Sequence, residues 1–69
     1  MKYYEFVVTK DGWMMGSYKR KADAQNYAAE LIKKYPDHPV AIKAHVYSVP
    51  LNQYDVGDHY LYSYDVPVA

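Results

Sequence analysis

The chain of 69 residues contains no cysteine, which excludes disulfide bonds and thiolate metal ligands and gives no indication of an oxidising compartment. It also lacks any apolar run near the roughly 18 residues that a membrane span requires. The residues from Met1 to Glu5 do not form the apolar segment of a signal peptide. These absences predict a cytoplasmic protein with no membrane association.

An excess of charge of either sign is also missing, because eight Lys and Arg residues balance eight Asp and Glu residues. A neutral chain has no general electrostatic attraction to nucleic acid or to anionic membranes. The two signs are unevenly distributed, since the last basic residue is Lys43 and residues 44–69 contain three aspartates. One end of the fold is therefore expected to be mildly positive.

Tyrosine is what the chain has in abundance, with ten residues against one tryptophan and one phenylalanine. The side chain combines a large apolar ring with a hydroxyl group that needs a hydrogen-bond partner, so it suits shallow cores and interfaces better than deep interiors. A domain of this length has little core relative to its surface. With disulfides excluded, oligomerisation remains open as a source of stability.

The N-terminal residues predict a β-hairpin. Aromatic and β-branched residues over positions 2–9 indicate the first strand, and positions 13–18 indicate a returning strand. Between them, Gly12 can adopt the positive φ of a tight turn. Gly16 has no side chain to pack within its strand, which indicates a β-bulge or a close backbone approach.

A helix is predicted from about Lys21, because the apolar period changes there to that of one helical face. Lys33 and Lys34 complement the dipole at its carboxyl end. Pro36 ends it, because proline disfavours helical backbone at the preceding Tyr35. The apolar residues that share the sheet-facing side of this helix are Ala24, Tyr27, Ala28, Leu31, Ile32 and Tyr35.

Two further strands are predicted after the helix. Residues 40–49 alternate between apolar and polar side chains, as a half-buried strand does, and Pro50 ends them. Residues 51–58 are predicted as a loop. Residues 59–66 form the last strand, which ends at Pro67.

The resulting order ββαββ predicts an α+β fold in a single domain that spans residues 1–69. Chain direction lets the third strand pair antiparallel with the first. This arrangement gives a two-layer structure in which a four-stranded antiparallel sheet of order 2-1-3-4 has one helix packed on one face. The opposite face of the sheet is left uncovered.

Residue parity assigns side chains to the two faces of the sheet. Phe6 and Val8 belong to the more apolar set of the first strand and should face the helix together with Ile42. Strand four is ambiguous, because its tyrosines fit either face. The uncovered face then carries Tyr3, Glu5, Val7, Lys43, His45 and Tyr47.

An uncovered face with many tyrosines is typical of a binding surface. We therefore expect a small non-enzymatic interaction module that forms a homodimer, or binds a protein partner, through this face or the edge of strand four. The alternative is that the tyrosines only cover sheet surface in a small fold. The candidate binding residues are Tyr3, Lys43, His45, Tyr47, Tyr60, Tyr62 and Tyr64.

Lys19, Arg20 and Lys21 precede the helix, where three cations oppose the helix dipole. A bound anion would relieve this repulsion, although such side chains can also extend into water. The alternative function is accordingly a nucleic-acid-associated accessory protein, in which these cations bind phosphates and the sheet tyrosines stack on bases. Neutral overall charge makes this function less favoured.

No motif for a metal, a cofactor or catalysis is found. His38, His45 and His59 do not have the spacing of a metal site, and no cysteine supports them. The serines have no arrangement with a general base, and a fold of this size has little room for a pocket that excludes water. We therefore expect no metal, no cofactor and no enzymatic activity.

Overall fold

The computed structural model describes residues 1–52 and 55–68, and its elements follow the predicted ββαββ order. The third strand ends at Tyr47, earlier than the predicted Val49. A short 3₁₀-helix occupies part of the predicted loop. The elements are β1 (Tyr3–Lys10), β2 (Trp13–Tyr18), α1 (Lys21–Lys34), β3 (Val40–Tyr47), the 3₁₀-helix (Val56–His59) and β4 (Tyr60–Val66).

The four strands form one antiparallel sheet in the order β2-β1-β3-β4, which confirms the predicted topology. The two central strands pair with Phe6 opposite Ala44 and Val8 opposite Ile42. All four of these side chains are buried. The most apolar strands therefore lie in the middle of the sheet, and the tyrosine-rich β4 forms one edge.

The turn between β1 and β2 depends on two residues with left-handed backbone. Asp11 has a φ of 55° and Gly12 a φ of 83°. Positive φ at both central positions is the requirement of a type I′ turn, whose twist matches that of the strands it joins. The Asp11 N–H donates to the Pro39 carbonyl over 2.9 Å, so the turn is tied to the segment that enters β3.

Of the two predictions for Gly16, the β-bulge is confirmed, whereas the close neighbour is a side chain and not backbone. Val8 pairs with Gly16 and Thr9 pairs with Met14, so Met15 is an extra residue in a β-bulge. A Cβ atom on Gly16 would lie 3.2 Å from Cε2 of Tyr27, a residue of α1. A larger residue at position 16 would therefore require the Tyr27 ring to move by a few tenths of an ångström.

Helix α1 packs on β1, β2 and β3. It contacts the sheet through Ala24, Ala28 and Leu31, which are all buried. The small alanine side chains let the helix axis approach the sheet closely. The prediction that Ile32 faces the sheet is wrong: it is 39% exposed, because it lies about 100° around the helix from Leu31.

The core is one small cluster between α1 and the sheet, and tyrosines surround it. Its members are limited in volume, since three of them are alanines. Tyr4, Tyr18, Tyr27 and Tyr35 are only partly buried and pack against its margin, as expected for a ring with a polar tip. The buried members are Phe6, Val8, Ala24, Ala28, Leu31, Ile42, Ala44 and Val66.

Candidate interaction surface

The uncovered face is the sheet surface opposite α1. Its residues alternate along each strand with the residues that pack on the helix. The strand registers put the predicted residues of β1 and β3 on this face and add three residues from β4. The uncovered face includes Tyr3, Glu5, Val7, Lys43, His45, Tyr47, Tyr60, Ser63 and Asp65.

The tyrosines of β4 are divided between the two faces, which answers the question that parity left open. Tyr62 lies opposite Val46 and Tyr64 opposite Ala44, so both are on the helix side of the sheet. The register then shifts, and Tyr60 lies opposite Tyr47. Leu61 is the extra residue of this β-bulge, and it turns Tyr60 onto the uncovered face.

Aromatic rings gather at one end of the uncovered face. The Tyr60 ring centroid lies 5.8 Å from that of Tyr47 and 6.1 Å from that of His45. Tyr3 lies opposite Tyr47 on the neighbouring strand. Burial among these groups raises the pKa of Tyr47, and the nearby Glu5 carboxylate acts in the same direction. This end of the face therefore presents apolar ring surface.

The middle of the uncovered face carries charges of both signs. Glu5 lies opposite His45, and Lys43 lies opposite Asp65. The Ser17 hydroxyl donates to Glu5 Oε2 over 3.2 Å. Opposite charges on neighbouring strands stabilise a sheet, typically by less than about 1 kcal/mol per pair. This part of the face already satisfies its charges within the chain.

The edge strand β4 exposes several large side chains. Tyr60 is 45% exposed, Leu61 47%, and Tyr62 and Tyr64 are each 42% exposed. The Tyr62 and Tyr64 rings lie side by side, with centroids 6.2 Å apart. Large side chains that project from both faces of one edge strand form a continuous apolar border.

Lys2 lies against this border. Its ammonium group is 5.2 Å from the centroid of the Tyr62 ring and donates to the Tyr62 hydroxyl over 3.2 Å. The hydrogen bond to Tyr62 raises the pKa of Lys2. The negative face of a tyrosine ring attracts a cation, and the attraction is weak at an exposed site.

The seven candidate binding residues therefore do not share one surface. Five of them lie on the uncovered face, and two lie on the helix side of β4. The edge of β4 is where the two groups meet, through Tyr60 on one side and Tyr62 on the other. The uncovered-face group consists of Tyr3, Lys43, His45, Tyr47 and Tyr60.

The three predicted anion-binding residues lie at the start of α1. Arg20 is the N-cap residue, and its side chain makes no capping hydrogen bond. Lys21 is the first helical residue. Lys19 lies before them and lines a cavity of about 410 Å³ at the end of the sheet.

The three histidines contact different partners. His38 Nδ1 lies 2.6 Å from Asp11 Oδ2, and this hydrogen bond lowers the pKa of Asp11. His59 Nε2 lies 3.4 Å from Asp55 Oδ2. Within residues 1–52 and 55–68, no three His, Asp or Glu side chains are grouped so as to hold a metal ion.

Two features of this surface were missed by sequence reasoning. Leu61 is a major part of the exposed border, but only the register between β3 and β4 reveals the bulge that exposes it. Lys2 contacts Tyr62, a residue 60 positions away. Leu61 lies between tyrosines that alternate along the strand, and this position could have indicated its exposure. Nothing in the sequence indicated the contact of Lys2 with Tyr62.

Comparison with known proteins supplies no relative: no protein-family model, curated protein or solved structure matches the chain. Within the part of the chain that the structure describes, none of the helices has the length and apolar character of a membrane span. Function is therefore inferred from the chemistry of the surfaces described above.

Proposed function

We propose that this chain is a small non-enzymatic interaction module that forms a homodimer through the exposed edge of β4. The observation that carries the proposal is the apolar border of that edge. Four of the seven side chains of β4 are large, apolar or aromatic, and more than 40% exposed: Tyr60, Leu61, Tyr62 and Tyr64. Exposed tyrosine and leucine side chains gain free energy when a partner buries them.

The backbone of β4 supports the same proposal. An edge strand presents unpaired N–H and C=O groups, and proteins usually protect such an edge with lysine, proline or a very short strand. The seven residues of β4 contain no lysine and no proline, and Asp65 is the one charged residue. Both edge strands contain a bulge. In β2 the bulge at Met15 divides a strand of six residues, whereas in β4 the bulge at Leu61 lies near the start and leaves residues 62–66 in regular register. The longer regular segment of β4 supports pairing at that edge.

A symmetric pairing of two β4 strands has a preferred register. A two-fold axis perpendicular to the sheet keeps both α1 helices on the same side, and antiparallel pairing then matches residues of like parity. Centring the axis on Ser63 uses the whole strand. Tyr62 then lies opposite the partner's Tyr64, and the two aromatic pairs repeat across the axis. The product is a continuous eight-stranded sheet.

Electrostatics do not oppose this register. Asp65 lies opposite the partner's Leu61, so the two Asp65 side chains are separated by four residues, about 14 Å along the strand. This distance exceeds the Debye length of about 8 Å at physiological salt. Each Asp65 also lies opposite Lys43 of its own chain. The two β4 strands can therefore approach without repulsion between like charges.

The dimer is tested by the molar mass in solution, measured by light scattering behind a sizing column over a dilution series. A seven-residue strand pairing is at the small end of specific interfaces, so we expect a dissociation constant on the order of 10 µM. A molar mass that stays at 8.1 kDa up to about 1 mM protein would contradict the proposal, because no useful association is then present.

The register is tested by two substitutions at one exposed position. Leu61→Asp puts a carboxylate directly opposite the partner's Asp65 and should weaken the dimer at least about tenfold, whereas Leu61→Lys puts an ammonium group there and should retain it. Met14→Asp, on the edge of β2, is the matched control and should leave the mass unchanged. Circular dichroism checks that each variant keeps its fold. If Leu61→Asp still dimerises and Met14→Asp does not, β2 is the interface.

The nucleic-acid hypothesis has less support from the geometry. The tyrosines of β4 are divided between the two faces, and the cation of the uncovered face, Lys43, lies opposite Asp65. Phosphate binding needs several cations that are not neutralised by the protein itself. Titration of labelled single-stranded and duplex oligonucleotides at low salt should show no saturation at micromolar protein. Saturation that weakens steeply with added salt would favour nucleic acid instead.

A further inference from the structure

A cavity lies at the end of the sheet where β1 begins and where the chain passes from β2 to α1. Its volume is about 410 Å³, which is within the range of small-molecule sites. The cavity does not include the apolar border of β4, so it is a separate feature from the proposed dimer edge. Its lining residues are Lys2, Tyr3, Tyr4, Lys19, Pro50, Leu51 and Asn52.

The lining combines positive charge with apolar walls. Lys2 and Lys19 supply two ammonium groups, and none of the described lining residues is acidic. Pro50 and Leu51 supply aliphatic surface, and Tyr4 supplies an aromatic ring. A site with two cations and no carboxylate favours an anionic group, because each cation attracts it and nothing in the lining repels it.

Two of the lining side chains contact other aromatic residues of the fold. Lys2 donates a hydrogen bond to the Tyr62 hydroxyl and lies over the Tyr62 ring. Tyr4 stacks on Phe6, with ring centroids 5.9 Å apart and an angle of 6° between the planes. Because Phe6 belongs to the buried core, Tyr4 forms a fixed wall. Side chains that are already ordered lose less entropy on binding a ligand.

From this lining we infer that the cavity binds a small organic anion with an apolar or aromatic body. The ammonium groups of Lys2 and Lys19 bind the anionic group, the side-chain amide of Asn52 adds a hydrogen bond, and Pro50, Leu51 and Tyr4 enclose the apolar body. No lining residue belongs to β4, although Lys2 also contacts Tyr62 of that strand. Lys19 therefore tests the cavity without a change at the proposed dimer edge.

The test is a titration of the full chain followed by amide chemical shifts in NMR spectra. The probes are phenyl phosphate and 3-phenylpropanoate, with inorganic phosphate and benzyl alcohol as partial probes that carry only the anion or only the ring. We expect saturable shifts at Tyr3, Tyr4 and Leu51 for both complete probes, with dissociation constants below about 1 mM. Each partial probe should bind at least about tenfold more weakly, because it uses half of the lining.

A matched pair of variants separates this site from general attraction to a cation. Lys19→Gln removes one lining charge and should weaken the binding of phenyl phosphate at least about threefold. A loss of this size is expected when one charge-assisted hydrogen bond is removed. Lys33→Gln removes the same charge from the far end of α1 and should have no effect. Three results would overturn the inference: no saturation by about 10 mM probe, equal binding of benzyl alcohol, or equal weakening in both variants.

Discussion

Asp11 combines two roles at one position in the β1–β2 turn. It adopts a φ of 55°, a conformation in which aspartate and asparagine are enriched among residues with a Cβ atom. Its carboxylate also accepts a hydrogen bond from His38 Nδ1 at 2.6 Å and lies 3.3 Å from the Lys10 ammonium group. The contact with His38 joins this turn to the loop between α1 and β3. The turn and the loop are distant in sequence.

The charge of Asp11 makes stability depend on pH. The hydrogen bond from His38 lowers the pKa of Asp11 in the folded chain, so folding favours the carboxylate over the carboxylic acid. The contribution of this carboxylate to the free energy of unfolding is complete above the pKa that Asp11 has in the unfolded chain. It is lost as pH falls through the lower pKa that Asp11 has in the folded chain. Acid should therefore remove this contribution.

Asp11→Asn tests this dependence, because asparagine also tolerates positive φ and the substitution removes only the charge. We expect the urea midpoint of the variant to lie below that of the unaltered chain at neutral pH, with the difference shrinking between about pH 5 and pH 2. Asp37→Asn, at an exposed loop position, is the control. A difference that stays constant with pH would show that the charge of Asp11 does not contribute.

At the scale of elements, the contact between β2 and α1 depends on the missing side chain of Gly16. A Cβ atom there would lie 3.2 Å from Tyr27 Cε2 and 3.3 Å from Tyr18 Cε2, which is closer than ordinary van der Waals contact. The Tyr27 hydroxyl is directed toward the Met15 carbonyl at 3.5 Å. The two rings, whose centroids are 5.7 Å apart, both lie against Gly16.

Gly16→Ala should destabilise the fold by about 1 kcal/mol. Alanine restricts the unfolded chain more than glycine does, which favours folding, but the overpacking of its Cβ atom against the two rings outweighs this gain. The matched control is Gly57→Ala, since a Cβ atom on Gly57 meets nothing within 4 Å. That variant should be neutral or slightly more stable. Urea or thermal unfolding of both variants measures the difference. Equal stability of the two would mean that Tyr27 and Tyr18 move aside without cost.

The order and type of the elements could be predicted from the sequence because each depends on local patterns. Aromatic and β-branched residues indicated β1, alternation indicated β3, helical spacing indicated α1, and Gly12 indicated the turn. The orientation of β4 could not be predicted, since the bulge at Leu61 exists only in the register with β3. For the same reason the candidate tyrosines of β4 were grouped together, although Tyr60 faces away from Tyr62. The exposure of Ile32 could not be predicted either, because the sequence does not show which side of the helix contacts the sheet.

At the scale of the whole molecule, the 14-residue helix α1 is too small to cover a sheet of four strands. The helix packs on β2, β1 and β3, and of β4 it is Val66, at the carboxyl end, that joins the core. The core is correspondingly thin, and much of the tyrosine content lies at its margin or on the surface. The same mismatch explains why Tyr62 and Tyr64 remain exposed on the helix side. A second copy would bury them without any change within the chain.

The bulge at Met15 determines how far such an assembly could extend. If the β4 edge of one copy paired with the β2 edge of the next, every addition would present a fresh edge, and the product would be a fibre of unlimited length. Pairing of β4 with β4 consumes that edge and leaves β2 at each end. There the extra residue lies in the middle of the strand and disrupts the regular ladder of backbone groups, whereas the bulge of β4 lies near its start. In the proposed dimer, this irregularity in the first hairpin would limit further growth of the sheet.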